Sequence, residues 1–144
     1  FDVFTQFGFN DFLLMKNRKL AGSGLRYKMV SNDRMNTFLG IGLMQENEIY
    51  DIVNEPEKKL LRSTNYLSWN INIAKNAQLY NTVYYQFSFS DIIDYRLLYD
   101  GSINFSVNES LSFVIELNYR YDNDPHGVMG KSYIQLNNGI EFTF

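Results

Sequence analysis

Apolar and polar residues alternate along most of the second half of the chain. The clearest stretch runs from Leu111 to Asp122, where the odd-numbered positions are apolar or aromatic and the even-numbered ones are mostly polar. A period of two indicates a β-strand with one apolar face, whereas a helix would mix apolar and charged residues on every face. The stretch is also close to the roughly 9 to 11 residues that a tilted strand needs to cross a bilayer.

The same period recurs upstream and downstream, which predicts eight strands in all. The apolar faces of the other seven are Val3 to Phe9, Leu25 to Met29, Leu39 to Leu43, Leu67 to Ile73, Val83 to Phe89, Tyr99 to Val107, and Ile134 to Phe144. The sequence therefore predicts an all-β, antiparallel up-and-down transmembrane β-barrel of about eight strands. At 144 residues, the chain is expected to form one domain, residues 1–144.

The predicted connections alternate in length. Short polar turns are expected near residues 31–33, 75–77 and 108–110, and longer connections near residues 10–19, 46–59, 90–94 and 122–130. Bacterial outer-membrane barrels have short periplasmic turns and longer extracellular loops, so this alternation predicts that both termini are periplasmic. The segment 46–59, which contains Pro56 and several acidic residues, is predicted to be a mobile surface loop.

Composition agrees with strands and narrows the function classes. Aromatic residues make up 17% of the chain, with 11 Tyr and 12 Phe but only 2 Pro, and aromatic residues favour strands. No run reaches the roughly 18 to 20 apolar residues of a membrane helix, and no leader-like start is present, so we expect a mature or trimmed chain. The chain has no Cys, which excludes a thiolate metal site. A net charge of −3 with mixed signs argues against a nucleic-acid partner.

The last predicted strand ends in a pattern that resembles the terminal β-signal of outer-membrane proteins. Asn137 is followed by Gly139 and then by aromatic residues at Phe142 and Phe144. The barrel-assembly machinery recognises such segments by strand addition, in which an extended segment pairs with an exposed edge. The pattern predicts a bacterial outer-membrane location, with that machinery and the surrounding lipids as partners.

A soluble up-and-down barrel, such as a lipocalin-like carrier, is the alternative fold, since its strands alternate too. Two observations oppose it. Aromatic side chains cluster near the strand ends, as in a membrane-interface belt, for example at Tyr27, Tyr99, Phe105 and Tyr119. The opposite face carries charges of both signs, which suits a polar barrel interior.

Two segments carry a resemblance to a known family. They are Asp94-Tyr95-Arg96-Leu97, which opens a strand, and the run Tyr121 to Val128, which contains Asp124-Pro125 and leads into the last strand. On these segments the chain resembles the salt-induced outer-membrane protein family, a domain family of unknown function. The resemblance implies an outer-membrane β-barrel, in which further strands upstream of Phe1 would give ten or twelve in total. It brings no catalytic residues.

Charged residues on the predicted lumen face form the first candidate site. They are Arg26, Arg62, Arg96, Asp100, Glu116, Arg120 and Glu141. In one interpretation the arginines line a path for anions or polar solutes. In the other they pair with Asp100, Glu116 and Glu141 as a buried network, which is favoured at eight strands because such an interior is only wide enough for side chains.

His126 is the single histidine. Asp122 and Asp124 precede it in the chain, and Gly127 follows it. An imidazole and two carboxylates could bind a metal or act as a general base. Asp, Asn, Pro and Gly are also ordinary turn residues, which accounts for the segment without chemistry. We therefore expect a loop here, with no metal, no cofactor and no catalytic residue.

Three functions remain from the sequence. The leading hypothesis is a barrel with a structural role, or one that forms a subunit of a larger outer-membrane assembly. The second is a small passive pore or transporter for polar solutes. The third, a membrane-embedded enzyme, is not expected, because no Ser or Asp is placed convincingly against His126.

Overall fold

Eight antiparallel strands form one sheet in the computed structural model, which describes residues 1–11, 14–53, 57–126 and 130–142. The strands are β1 (Asp2–Asn10), β2 (Met15–Ser31), β3 (Met35–Tyr50), β4 (Lys58–Ala74), β5 (Ala77–Ser88), β6 (Tyr95–Ser106), β7 (Leu111–Asp122) and β8 (Ser132–Phe142). Each strand pairs with the next along the chain. The predicted all-β, up-and-down fold of eight strands is confirmed.

The described residues contain no helix that is long and apolar enough to cross a membrane.

The sheet separates an apolar face from a polar one. Because cross-strand partners point to the same side of a sheet, the register shows which residues share a face. One row of partners runs across seven strands and consists only of apolar or aromatic residues: Tyr27, Leu39, Leu67, Val83, Tyr99, Tyr119 and Ile134. The next row on the opposite face is mostly polar: Phe38, Ser68, Thr82, Asp100, Asn118 and Gln135.

The sheet curls around its polar face. Arg96 of β6 reaches Glu48 of β3 at 2.9 Å, over the two strands that lie between them. Tyr66 of β4 likewise donates a hydrogen bond to Asp2 of β1 at 2.9 Å. The polar face is therefore concave and the apolar face convex. Within the described residues, β1 pairs only with β2 and β8 only with β7, so each has one free edge.

The connections follow the predicted alternation except for the first, which is as short as the turn between β6 and β7, and two predicted loops are too long. The short turns are residues 32–34, 75–76 and 107–110, and the other connections are residues 11–14, 51–57, 89–94 and 123–131. The predicted loops at residues 10–19 and 46–59 were wrong at their ends, because β2 starts at Met15, β3 continues to Tyr50 and β4 starts at Lys58. Residues 54–56 of the second, including Pro56, lie outside the described residues.

The loop at residues 46–59 was predicted to start too early because the outward-facing residues of β3 become polar near the end of the strand. From Gln45 to Glu48 both faces of β3 are polar, so the alternation of hydrophobicity disappears while the backbone alternation continues. Glu46 and Glu48 still point to the concave side, where both are buried. Arginines neutralise them there, and a buried charge is tolerated when it is paired and hydrogen-bonded.

Two glycines allow aromatic rings to lie against the concave wall. A Cβ atom built at Gly40 would be 2.0 Å from Cε1 of Tyr66, and one built at Gly22 would be 2.5 Å from Cζ of Phe4. Both distances are far shorter than a van der Waals contact, so each ring occupies the space that a side chain would take. The rings lie along the wall of the sheet because the residue behind each has no side chain.

We expect Gly40→Ala to destabilise the protein by about 1 to 3 kcal/mol, because the methyl group forces the Tyr66 ring out of its place. Urea unfolding measured by fluorescence tests this. Gly139→Ala is the matched control in β8, since a Cβ there has nothing within 4 Å and should change stability by no more than about 0.5 kcal/mol. Equal effects of the two substitutions would contradict this account of the ring packing.

Candidate functional site

Charged side chains from five strands meet on the concave face near the longer connections. We call this group the ion-pair cluster. Its members are Arg18, Glu46, Glu48, Arg62, Asp94, Arg96, Arg120 and Asp122. Most of them are buried, and Arg62 and Arg96 are 0% and 1% exposed.

Arg96 lies at the centre of the ion-pair cluster and contacts three carboxylates. Its Nη1 donates to Glu46 Oε2 and Glu48 Oε1, both at 3.0 Å, and its Nη2 donates to Glu48 Oε2 at 2.9 Å. Its Nε donates to Asp122 Oδ2 at 2.8 Å. Asp122 is its cross-strand partner in β7, whereas the two glutamates come from β3 on the other side of the concavity. The planar guanidinium fits this arrangement because its donors point in fixed directions.

Arg62 is the second buried arginine of the ion-pair cluster and lies next to Arg96. Its Nε donates to Glu46 Oε2 at 2.7 Å, so Glu46 is shared between Arg62 and Arg96. Its Nη2 contacts both carboxylate oxygens of Asp94 at 2.8 Å, and its Nη1 donates to the Asp94 carbonyl at 3.2 Å. Asp94 is the last residue before β6, so this contact fixes where that strand begins.

Two further arginines complete the charge balance. Arg18 of β2 forms ion pairs with Glu46 and Glu48, and Arg120 of β7 contacts Asp122 Oδ2 at 3.0 Å. The ion-pair cluster thus contains four arginines and four carboxylates, and its formal charge is zero. A neutral, fully paired group of charges avoids the large cost of an isolated buried ion.

Lys58 connects the ion-pair cluster to the connection between β7 and β8. Its Nζ lies 3.3 Å from Asp94 Oδ2 and 3.0 Å from Asp124 Oδ2. The hydrogen bond from Lys58 lowers the pKa of Asp124, which lies outside the strands. This contribution to stability is present at neutral pH and is lost as the pH falls through the lowered pKa. It is small because Asp124 is mostly exposed.

His126 packs onto the same side of the ion-pair cluster. Its ring stacks on Tyr50 with 3.8 Å between centroids, and its Nε2 lies 3.6 Å from Glu48 Oε2. A cavity of about 20 Å³ adjoins both rings, which is room for about one water molecule. No group of three potential metal ligands is found among the described residues. The rings of His126 and Tyr50 therefore lie against one side of the ion-pair cluster.

A family profile described as "Protein of unknown function, DUF481" matches residues 1–143. The chain belongs to the DUF481 family. A comparison with curated proteins gave no match. The family description assigns no residue a role, so the contribution of each side chain in this DUF481 chain has to be read from its contacts.

The structure brings together only three of the seven predicted lumen residues. Arg62, Arg96 and Arg120 belong to the ion-pair cluster, but their partners are not the carboxylates that the sequence analysis proposed. Among the described residues, no arginine forms an ion pair with Asp100, Glu116 or Glu141. Glu116 instead accepts a hydrogen bond from Asn137 at 3.5 Å.

Arg26 lies apart from the other arginines. Its Nε donates to Asp2 at 3.1 Å and to the Tyr66 hydroxyl at 2.7 Å, and the guanidinium is half exposed. This contact joins β1, β2 and β4 across the concave face, at some distance along the strands from the ion-pair cluster.

Sequence reasoning did not assign five members of the ion-pair cluster to the lumen site: Arg18, Glu46, Glu48, Asp94 and Asp122. A signal for two of them was present, because Glu46 and Glu48 continue the spacing of two that begins at Gly40 and passes through Met44. That spacing places all of them on the concave side, where Met44 is also buried. No such signal marks Asp94, since its contact with Arg62 exists only after the sheet has curled.

Three of the predicted assembly-signal residues, Asn137, Gly139 and Phe142, lie on β8, which is one of the two strands with a free edge. Asn137 and Gly139 share one face of β8, opposite Glu116 and Val114 of β7, and Phe142 projects from the other face with 61% exposure. Phe144 lies outside the described residues. The function of these residues in membrane assembly stays a prediction.

We expect Arg96→Met to reduce the free energy of unfolding by about 3 to 5 kcal/mol, because it leaves Glu46, Glu48 and Asp122 short of a buried counter-charge. Arg34→Met is the matched control, since Arg34 lies exposed in the turn between β2 and β3. It should change stability by about 0.5 kcal/mol or less. Urea unfolding gives both values, and similar losses would mean that the ion-pair cluster does not hold the fold together.

Proposed function

We propose that this chain is an integral β-barrel protein of the bacterial outer membrane, with a structural role alone or as a subunit of an envelope assembly. The observation that carries the proposal is the apolar convex face. Ile41, Leu136 and Tyr27 are 60%, 67% and 69% exposed there, and similar side chains extend over all eight strands. Apolar surface of this extent marks a membrane or a protein interface, because soluble monomers rarely expose it.

The distribution of polarity favours lipid over water outside the barrel. A soluble carrier barrel turns its apolar face inward, around a ligand. Here the buried side chains on the concave face include Glu46, Arg62 and Arg96, and the large exposed side chains on the convex face are mainly aliphatic and aromatic. This is the arrangement of a membrane barrel, which is apolar towards lipid and polar towards its lumen.

A structural role is supported by the charge balance of the ion-pair cluster. A pore that selects ions with charged side chains needs those groups to be available to the ion. In the ion-pair cluster all four arginines contact carboxylates, and His126 and Tyr50 cover one side. The proposal is therefore a barrel whose end at the longer connections is closed by its own side chains, and it includes no catalytic role.

The proposal also includes the orientation of the barrel in the membrane and its insertion by the barrel-assembly machinery. The longer connections would face the cell exterior and both termini the periplasm, as in other bacterial barrels. The free edge of β8 would pair with the barrel-assembly machinery during insertion. Open edges are not tolerated in hydrocarbon, so both free edges would have to be paired in the inserted protein. The resemblance to the salt-induced outer-membrane protein family, and the ten or twelve strands that it implies, also stay predictions.

Introducing a charge on the convex face tests whether lipid or water surrounds it. Ile41→Arg should cost about 2 to 4 kcal/mol and strongly reduce the folded fraction if the residue faces lipid. Gln45→Arg is the matched control, because Gln45 lies on the same strand and the same face, four residues beyond Ile41, and is also exposed. Heat-modifiable migration on gels, after extraction of membranes with detergent, measures the folded fraction of each variant.

The two media give different results in this experiment. In water both substitutions replace an exposed side chain with another exposed one, so both should be harmless. If Ile41→Arg folds as well as Gln45→Arg, or if the parent protein is extracted without detergent, the membrane proposal is wrong.

A passive pore is the second candidate, and the concave cavity of about 820 Å³ favours it. Planar-bilayer recordings distinguish the two roles. We expect no single-channel conductance from the parent protein, because the side chains of the ion-pair cluster fill the end near the longer connections. Stepwise conductance in the parent would reject the structural role and establish a pore.

A further inference from the structure

The concave face contains a cavity of about 820 Å³, which lies next to the ion-pair cluster and extends towards the short turns. Its lining comes from β1 to β6, and Arg18 belongs both to this lining and to the ion-pair cluster. The volume falls within the range of roughly 300 to 1,000 Å³ that is usual for small-molecule sites. Neither the proposed structural role nor the family assigns it a ligand.

Hydrogen-bonding groups without charge make up much of the lining. They are Gln6, Thr64, Ser68, Asn70, Thr82 and Gln86. Such side chains offer both donors and acceptors, in contrast to a carboxylate or an ammonium group, which offers one kind only. A ligand that matches them must carry several groups that donate and accept, as hydroxyl groups do.

Gln86 is the most telling of these residues. It is 6% exposed, it lines the cavity, and no donor among the described residues reaches its Oε1. Leaving a buried acceptor without a partner is costly, so a ligand that donates a hydrogen bond to this amide would stabilise it. Its cross-strand partners are Thr64 and Arg96, which places it where the cavity meets the ion-pair cluster.

Two aromatic rings supply flat apolar surface to the same cavity. Phe4 lies over Gly22 and Tyr66 over Gly40, so both rings are held along the wall and leave the space in front of them open. Arg26 and Asp2 bind the Tyr66 hydroxyl and fix the ring further. Aromatic faces beside neutral hydrogen-bonding groups fit a molecule with apolar C–H faces and a hydroxylated rim.

The charges in the lining disfavour an anionic ligand. Both arginines that line the cavity are already paired, Arg18 with Glu46 and Glu48, and Arg26 with Asp2. An anion would have to compete with these pairs. The carboxylate of Asp100, which has no ion-pair partner among the described residues, can accept hydrogen bonds from the hydroxyl groups of a neutral ligand.

We propose that this cavity is a binding site for a small, neutral, hydroxyl-rich molecule of the size of a mono- or disaccharide, with Gln86 donating and accepting hydrogen bonds and the Tyr66 and Phe4 rings packing against the ligand. The concave face forms this site whichever medium surrounds the convex face. Failure of the membrane proposal would therefore leave it intact, and the reverse also holds.

Ligand-observed saturation-transfer NMR and calorimetry test the site, with glucose and maltose as probes and gluconate and glucosamine as charged comparisons. The protein is held in lipid nanodiscs, because the headgroup of a maltoside detergent would compete for the site. If the parent protein proves to be soluble, the same titration is done in buffer. We expect glucose and maltose to bind more tightly than either charged analogue.

Gln86→Met should weaken the binding of the sugars about tenfold by removing the amide while keeping the length of the side chain. Gln135→Met is the matched control, because Gln135 shares the concave side of the sheet but does not line the cavity. Thr82→Val serves as a second variant, since it removes a hydroxyl from the lining with little change in volume, and should weaken binding in the same direction.

Three results would overturn the proposal. The first is no sugar binding up to about 50 mM, which is weaker than a specific site requires. The second is unchanged affinity in both Gln86→Met and Thr82→Val while both variants are folded. The third is tighter binding of gluconate or glucosamine, which would mean that a charged ligand belongs to this cavity.

Discussion

Two buried guanidinium groups tie together strands that are not neighbours in the sheet. Arg96 of β6 binds carboxylates from β3 and β7, and Arg62 of β4 binds Glu46 of β3 and the Asp94 that precedes β6. None of these charges would be tolerated alone in a buried place. The ion-pair cluster therefore forms only when the sheet is curled. In turn, the curled sheet can bury these charges only when each has its partner. The other features of the structure depend on this mutual requirement.

The curl decides what each face of the sheet can do. On the convex side it presents a continuous row of apolar and aromatic residues from Tyr27 to Ile134. On the concave side it brings β1 close enough to β4 for Asp2 to accept a hydrogen bond from Tyr66. Glycines behind Phe4 and Tyr66 keep these rings out of the interior, so that a cavity remains between β1 and β6.

These features combine into one picture of the protein. Near the longer connections, paired charges and the stacked rings of Tyr50 and His126 occupy the concave side. The middle of the concave side holds the cavity, which is lined by hydrogen-bonding groups. Membership of the DUF481 family fits this picture without explaining it, because the family is described as one of unknown function.

The sequence by itself determined the strands, their order and the side to which most residues point, because a period of two is a local property that survives without tertiary contacts. Leu111 to Asp122 shows this, since the predicted and observed strands coincide. Only the tertiary structure decided which charges meet. The separation between Glu48 and Arg96 along the chain is 48 residues, and no local pattern encodes that contact. The same holds for the cavity, because Gln86 and Phe4 face one space only through the curvature of the whole sheet.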